Sequence, residues 1–241
     1  MKIYREKDYE AISLRAANIL TAQLVLKQNS VLGLATGSSP IGTYKKLVEN
    51  YKAGEISFRD VRTVNLDEYK GLKDSDPNSY HYFMQENLFS HIDIDPENVH
   101  LLSGVAEDSD LECEKYERMI RAIGGIDMQL LGIGRNGHIG FNEPDSSFTV
   151  NTHVVDLTES TIEANSRLFD DISQVPRQAL SMGIGTIMHA KRILLIANGE
   201  SKADAIAKVV AGPVTPEVPG SILQLHPDVT IVADDKALSK L

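Results

Sequence analysis

Short apolar runs alternate along this chain with segments whose apolar residues recur every three or four positions. Residues 9–27 place Ile12, Leu14, Ala17, Leu20 and Leu24 at helical spacing, which predicts an amphipathic helix. Residues 31–35 form an apolar run ending in Thr36-Gly37-Ser38-Ser39-Pro40, the pattern of a buried strand entering a loop. The alternation continues with a helix over 41–51, a β-branched strand over 61–65, helices over 79–88 and 106–122, and an apolar strand over 126–131. A glycine-rich stretch follows; then 152–157 and 179–182 are strand-like, with a helix over 158–168 between them. Residues 192–197 are the cleanest buried strand, followed by a helix over 202–210 and a last strand over 229–233. This pattern predicts an α/β fold of three layers, a doubly wound, mostly parallel sheet with helices on both faces. No repeat, low-complexity segment or shift in composition divides it, so residues 1–241 are expected to be one domain.

Charge and cysteine content narrow the function classes. The formal charge is −10 and no block of Lys or Arg occurs, which disfavours a nucleic-acid partner. The first ten residues are charged where a signal peptide would be apolar, and no apolar run approaches the ~18 residues of a membrane span. The single cysteine, Cys113, can form neither an internal disulfide nor a thiolate metal cluster. A cytoplasmic protein without membrane contact is expected. If it binds an anion, it must use a few local donors: glycine-rich loops, helix N-termini and isolated basic residues.

Four loops after predicted strands meet that description, and open α/β sheets bind ligands beyond the carboxyl ends of their strands. Thr36, Gly37, Ser38 and Ser39 precede a helix, so hydroxyls, backbone and helix N-terminus can together cradle a phosphate. An ordinary strand-to-helix turn has the same composition, and both readings stand on this loop alone. Asn198-Gly199-Glu200-Ser201 leads to Lys202, a candidate point charge for an anion. Asn65-Leu66-Asp67-Glu68-Tyr69 puts two carboxylates directly after a strand; one could be a base of raised pKa, and a solvated strand end is the favoured reading for Glu68. The fourth loop, Gly132-Ile133-Gly134-Arg135-Asn136-Gly137, matches the dinucleotide fingerprint Gly-x-Gly-x-x-Gly. It continues into His138-Ile139-Gly140-Phe141-Asn142-Glu143-Pro144, a poor helix, and is expected to be a long loop instead. It gathers Asn136, His138 and Glu143, a proton-transfer group beside an orienting acid.

Taken together with Asn78-Ser79-Tyr80, Ala164-Asn165-Ser166-Arg167 and Leu223-Gln224-Leu225-His226, these stretches resemble the glucosamine/galactosamine-6-phosphate isomerase family, and within it the glucosamine-6-phosphate deaminases. The resemblance runs in order over nearly the whole chain, and the stretch from Leu131 to Pro144 is its most specific part. It implies a substrate, glucosamine 6-phosphate, whose phosphate is held by Thr36, Gly37, Ser38, Ser39, Arg167 and Lys202. It implies that His138 opens the sugar ring, that Glu143 and Asn136 hold and tune His138, and that Asp67 moves a proton from C2 to C1. Neither a metal nor a cofactor is implied. Residues 158–168 resemble the family's mobile lid.

Two departures from the family pattern stand out. Some members carry aspartate where this chain has Asn136, which can orient a neighbour but cannot ionise. Allosteric members have two basic residues where His153 and Val155 stand, and a longer C-terminal tail. A monomer with hyperbolic kinetics, insensitive to N-acetylglucosamine 6-phosphate, is therefore expected. The competing readings are a 6-phosphogluconolactonase-like hydrolase, the effector domain of a transcription regulator and a nicotinamide enzyme.

Overall fold

The computed structural model of the chain describes residues 1–166, 169 and 171–241. In chain order its strands are β1 (Lys2–Glu6), β2 (Val31–Leu34), β3 (Arg62–Asn65), β4 (Asp67–Tyr69), β5 (Val99–His100), β6 (Met128–Leu131), β7 (His153–Asp156), β8 (Gln178–Ser181), β9 (Ile193–Ala197) and β10 (Val229–Asp234). Its α-helices are α1 (Tyr9–Leu26), α2 (Ile41–Lys52), α3 (Tyr80–Asn87), α4 (Ser109–Ala122), α5 (Glu159–Asn165), α6 (Ile184–Met188) and α7 (Ala203–Ala211).

Seven strands form the main sheet in the order β1-β10-β9-β6-β2-β3-β5, and every pairing is parallel. Successive strand residues point to opposite faces, and both faces are apolar. On one face Leu32, Leu34, Met128, Leu130, Leu194 and Ile196 meet α1, α2 and α3 through Leu20, Tyr44, Leu47 and Met84. On the other, Val31, Val64, Leu131, Ile193, Leu195 and Ile231 meet α4, α6 and α7 through Tyr116, Ile120, Ile187, Ile206 and Val209. Three layers result, as the pattern predicts. The strands absent from that layering, β4, β8 and β7, form a separate antiparallel sheet in that order.

Local chemistry sets the helix ends. The Asp8 carboxylate accepts the N–H of Ala11 at 2.8 Å and starts α1. The inward stripe of α1 is Ile12, Ala16, Ala17, Leu20 and Leu24, whereas Leu14 is exposed, contrary to its place in the expected stripe. Ser13 goes inward instead, donating its hydroxyl to the Tyr9 carbonyl at 2.8 Å. Strand β1 has no counterpart in the sequence pattern. It is a sheet edge with Lys2, Ile3, Tyr4 and Arg5 all exposed, so no apolar run marks it. The helix expected over 158–168 is found as α5, and its end at Arg167 and Leu168 lies outside the described residues. Among the described residues no helix is long and apolar enough to cross a membrane.

At the amino-terminal edge of the sheet, the buried carboxylate of Asp127 joins three segments. It accepts from Lys27 Nζ at 2.5 Å, the Val31 N–H at 2.8 Å and Lys191 Nζ at 2.8 Å. Burial alone would push this carboxyl up, but the bonds from Lys191, Lys27 and Val31 win and hold it below the ordinary value. A depressed carboxylate stabilises the fold above the unfolded-state pKa of about 4, and its contribution disappears as pH falls through the lower folded value. Asp127→Ala should therefore cost about 2 kcal/mol in urea unfolding at pH 7, and the difference from the parent should shrink in acid. A cost that does not change with pH would contradict the assignment.

Candidate active site

The chain runs outward from β2 to β3 and β5, then returns to the other side of β2 as β6. The reversal leaves a crevice at the carboxyl ends of β2 and β6, where open α/β sheets place their ligands. The loops after β2, β3, β6 and β9 all open at this edge, because those four strands are adjacent and parallel.

After β2, Thr36, Gly37, Ser38 and Ser39 form a bend with Gly37 at φ 86°, a left-handed value that glycine adopts without strain. Two tyrosines fix the bend. Tyr44 Oη donates to the Ala35 carbonyl at 2.5 Å, and Tyr9 Oη donates to the Ser38 carbonyl at 2.9 Å while accepting the Gly42 N–H at 2.9 Å. Helix α2 then begins without a side-chain cap, at Pro40. Lys202, at the start of α7, donates its Nζ to the Ile133 carbonyl at 2.6 Å, which ties the β9 loop to the β6 loop. Arg167, the remaining expected phosphate ligand, lies outside the described residues.

Asp67 opens β4 and pairs across the small sheet with Ser181. Its carboxyl is 7 % exposed. Burial first, and the adjacent Glu68 charge second, push it up to about 8. Glu68 is not the solvated strand end expected of it: it is 1 % exposed and takes three backbone N–H bonds. Alternation along β4 sends it into the protein on the face opposite Asp67.

The β6 loop does not open a helix. Gly137 has φ 90° and Gly140 φ 58°, and the chain turns back on itself through a Gly134 N–H to His138 carbonyl bond of 2.9 Å. Glu143 sits at the centre. Its Oε2 lies 3.2 Å from His138 Nδ1 and accepts from Asn136 Nδ2 at 2.7 Å, while Oε1 accepts the hydroxyl of Thr161. Burial pushes this carboxyl up, yet the bonds from His138, Thr161 and Asn136 outweigh it and hold Glu143 below its ordinary value. A carboxylate only accepts, so the hydrogen belongs on Nδ1 and the His138 Nε2 is left to exchange protons.

Asn136 reaches His138 through the latter's backbone and through Glu143. Its side-chain oxygen accepts the His138 backbone N–H at 3.1 Å, and its influence on the imidazole passes through Glu143. Three further residues were given no role by the sequence. Thr161 resembles any residue of a helical first turn, yet it joins α5 to Glu143. Asn142 Nδ2 donates to the Ile139 and Met182 carbonyls at 2.9 and 2.8 Å, and Ser181 Oγ accepts the Phe141 N–H at 3.0 Å. Together they pin the β6 loop to β8, and a Cβ on Gly140 would lie 3.7 Å from Asp67 Oδ2. Asp67 and the His138 loop are thus neighbours. Among the described residues no group of three or more His, Cys, Asp or Glu side chains is placed to hold a metal ion.

Comparison with known proteins places the chain in a family. The chain belongs to the glucosamine-6-phosphate isomerase/6-phosphogluconolactonase family, whose sequence model matches residues 6–232. It is 59 % identical to a glucosamine-6-phosphate deaminase of Lachnoclostridium phytofermentans, over 96 % of this chain and 98 % of that relative. It is 57 % identical to one of Clostridioides difficile, over 100 % of this chain and 97 % of that relative. Among solved structures, a monomeric glucosamine-6-phosphate deaminase superposes with a TM-score of 0.98 at 48 % identity, with 100 % of both chains covered.

The glycine pattern that mimics a dinucleotide fingerprint has another use here. A Cβ on Gly134 would come within 2.4 Å of His138 Nε2 and 2.5 Å of two ring carbons, so the ring fits only over a glycine. Gly134→Ala should displace the imidazole and break its contact with Glu143 in a crystal structure of the variant. An unmoved ring, still 3.2 Å from Glu143 Oε2, would refute this role.

Proposed function

We propose that this protein deaminates glucosamine 6-phosphate with water, giving fructose 6-phosphate and ammonia, as an enzyme of amino sugar catabolism. One domain over residues 1–241, working in the cytoplasm, carries the reaction. The observation that carries this reading is Asp67, a buried carboxyl of raised proton affinity beside a loop that presents a histidine–glutamate pair. The strong sequence relationship to deaminases supports it.

The phosphate of the substrate is assigned to Thr36, Gly37, Ser38, Ser39, Lys202 and Arg167. His138 moves a proton from the anomeric hydroxyl to the ring oxygen, and the pyranose opens to the aldehyde. Glu143 keeps the imidazole in the tautomer this step needs, and Asn136 and Thr161 hold Glu143. Asp67 then removes the proton at C2, the aldehyde oxygen gains one, and an enolamine forms. The same carboxyl returns its proton to C1, and the nitrogen gives up one proton, matching the one the aldehyde oxygen gained, which leaves an imine at C2. Water adds to that carbon, the C–N bond breaks, and ammonia departs. A base with elevated proton affinity suits a carbon acid, because the match between base and acid improves as its pKa rises. No electron leaves the substrate, so the sequence of steps balances without a redox partner.

A lactone hydrolase of the same fold would need activated water and no base at C2. Asp67→Asn separates the two readings. It should lower ammonia release from glucosamine 6-phosphate by about 10³-fold or more, with substrate KM within a few fold of the parent. Retained ammonia release would remove Asp67 from the mechanism.

The remaining part of the proposal concerns regulation. His153 and Val155 of β7 offer at most one titratable group where allosteric relatives carry two cations, and burial pushes His153 down, toward the neutral form. We expect a monomer in solution with hyperbolic substrate dependence, unchanged by N-acetylglucosamine 6-phosphate. Sedimentation and initial-rate curves test this; a sigmoidal curve made hyperbolic by the acetylated sugar would overturn it.

A further inference from the structure

We infer that Glu68 is a positioning residue for Asp67: it clamps the strand carrying the base to the first turn of α3, and so sets where that base stands. This rests on the reading of Asp67 as the base.

The clamp is made of backbone bonds. Glu68 Oε1 accepts the N–H of Tyr69 at 2.8 Å and of Tyr80 at 3.0 Å, and Oε2 accepts the N–H of His81 at 3.0 Å. Tyr80 and His81 are the first two residues of α3, and the hydroxyl of Ser79 takes the next N–H, that of Tyr82, at 3.1 Å. The exposed donors of a helix start are therefore satisfied, two of them by a carboxylate from another element, in the polarity the helix dipole favours. Strand β4 needs such a tether. It is three residues long and lies at the edge of its sheet, paired only with β8. Among the described residues no other strand pairs with its free side, and the chain is held just before and after it by the Leu66 N–H to Leu34 carbonyl and Gly71 N–H to Gly104 carbonyl bonds.

The consequence extends past Asp67. The Tyr80 ring lies 4.9 Å from that of Tyr69 and 6.1 Å from that of Phe141, and Tyr69 lies 5.6 Å from Phe141. Phe141 belongs to the loop that carries His138 and Glu143. The helix start held by Glu68 is therefore packed against the second half of the site, and one carboxylate sets the spacing of base and histidine.

Glu68 also contributes charge. Asp67 is faced by Glu68 and Tyr69 of its own strand, Tyr44 of α2, Tyr80 of α3 and Tyr116 of α4. Burial raises all four tyrosines, so none ionises near neutral pH, and Glu68 is the acid that acts on Asp67 there. Burial outweighs its three N–H bonds and holds Glu68 above the ordinary carboxylate value, with His81 of α3 acting the other way.

Two variants of the full-length protein separate clamp from charge. Glu68→Gln should lower kcat about tenfold or more and change KM for glucosamine 6-phosphate by less, because Glu68 reaches the phosphate loop only through the Tyr80–Thr36 contact. The acidic limb of its kcat/KM profile should move to lower pH, because a like charge beside Asp67 is gone. Glu68→Asp keeps the charge but is too short to reach α3; it should lose kcat while the limb stays in place. Glu68→Gln with parental kcat and an unmoved limb would overturn the proposal. If Glu68→Gln does not fold, Glu68→Asp decides alone: a tenfold loss of kcat with the limb in place supports the clamp, and parental kcat overturns it. Ammonia release that survives Asp67→Asn would sink the base assignment instead, an outcome distinct from either.

Discussion

Parallel pairing is the constraint on which this site depends. Strands that hydrogen-bond in parallel must end at the same edge, and every connection must cross back over the sheet. Seven such strands, with the reversal of order at β2 and β6, deliver four loops to one crevice. The sheet costs little to maintain because both faces are packed against helices, and residues such as Leu194 and Leu195 on β9 are fully buried on opposite sides. The charged groups that anchor the opposite edge, around Asp127, keep clear of the chemistry.

In the crevice and just behind it, three carboxylates of ordinary intrinsic acidity are driven apart by their surroundings. Among the described residues no donor is placed on Asp67, so burial and a like charge raise it. Glu143 has three side-chain donors, which more than offset its burial and keep it ionised. Among the described residues Glu68 is bonded only to backbone N–H groups, which fix its carboxylate in place. On the proposed mechanism, a base that takes a carbon-bound proton and an anion that holds an imidazole call for opposite environments, and donor count supplies the difference.

The layered fold was legible in the sequence because burial on both faces makes each central strand a continuous apolar run. Strand β1 was not, since an edge strand with both faces exposed has no such run. Asp67, His138 and Glu143, to which the proposed mechanism assigns the chemistry, stood out as unusual polar residues at strand ends. Glu68 was misread for the same reason that it matters: its partners are backbone N–H groups twelve and thirteen positions on, and backbone donors have no sequence identity. Thr161 was invisible because its acceptor lies eighteen residues away on another element. The separate small sheet was also missed. Residues 152–157 and 179–182 do alternate as strands, but which sheet they join is decided by Asp67 and Ser181 pairing at long range.

Asn136 shows how a single atom type can settle a proton. Its side-chain nitrogen stands 2.7 Å from Glu143 Oε2, the same oxygen that faces His138 Nδ1. An aspartate there would bring a second carboxylate to that distance, and two carboxylates so close cannot both remain ionised. They would share a proton, and the imidazole would face a partner of variable charge. The amide instead supplies a hydrogen, so Glu143 keeps its full charge and continues to accept from Nδ1. The asparagine therefore trades a second charge near His138 for one carboxylate whose state does not vary, and on the proposed mechanism the proton released in ring opening has one defined place to go.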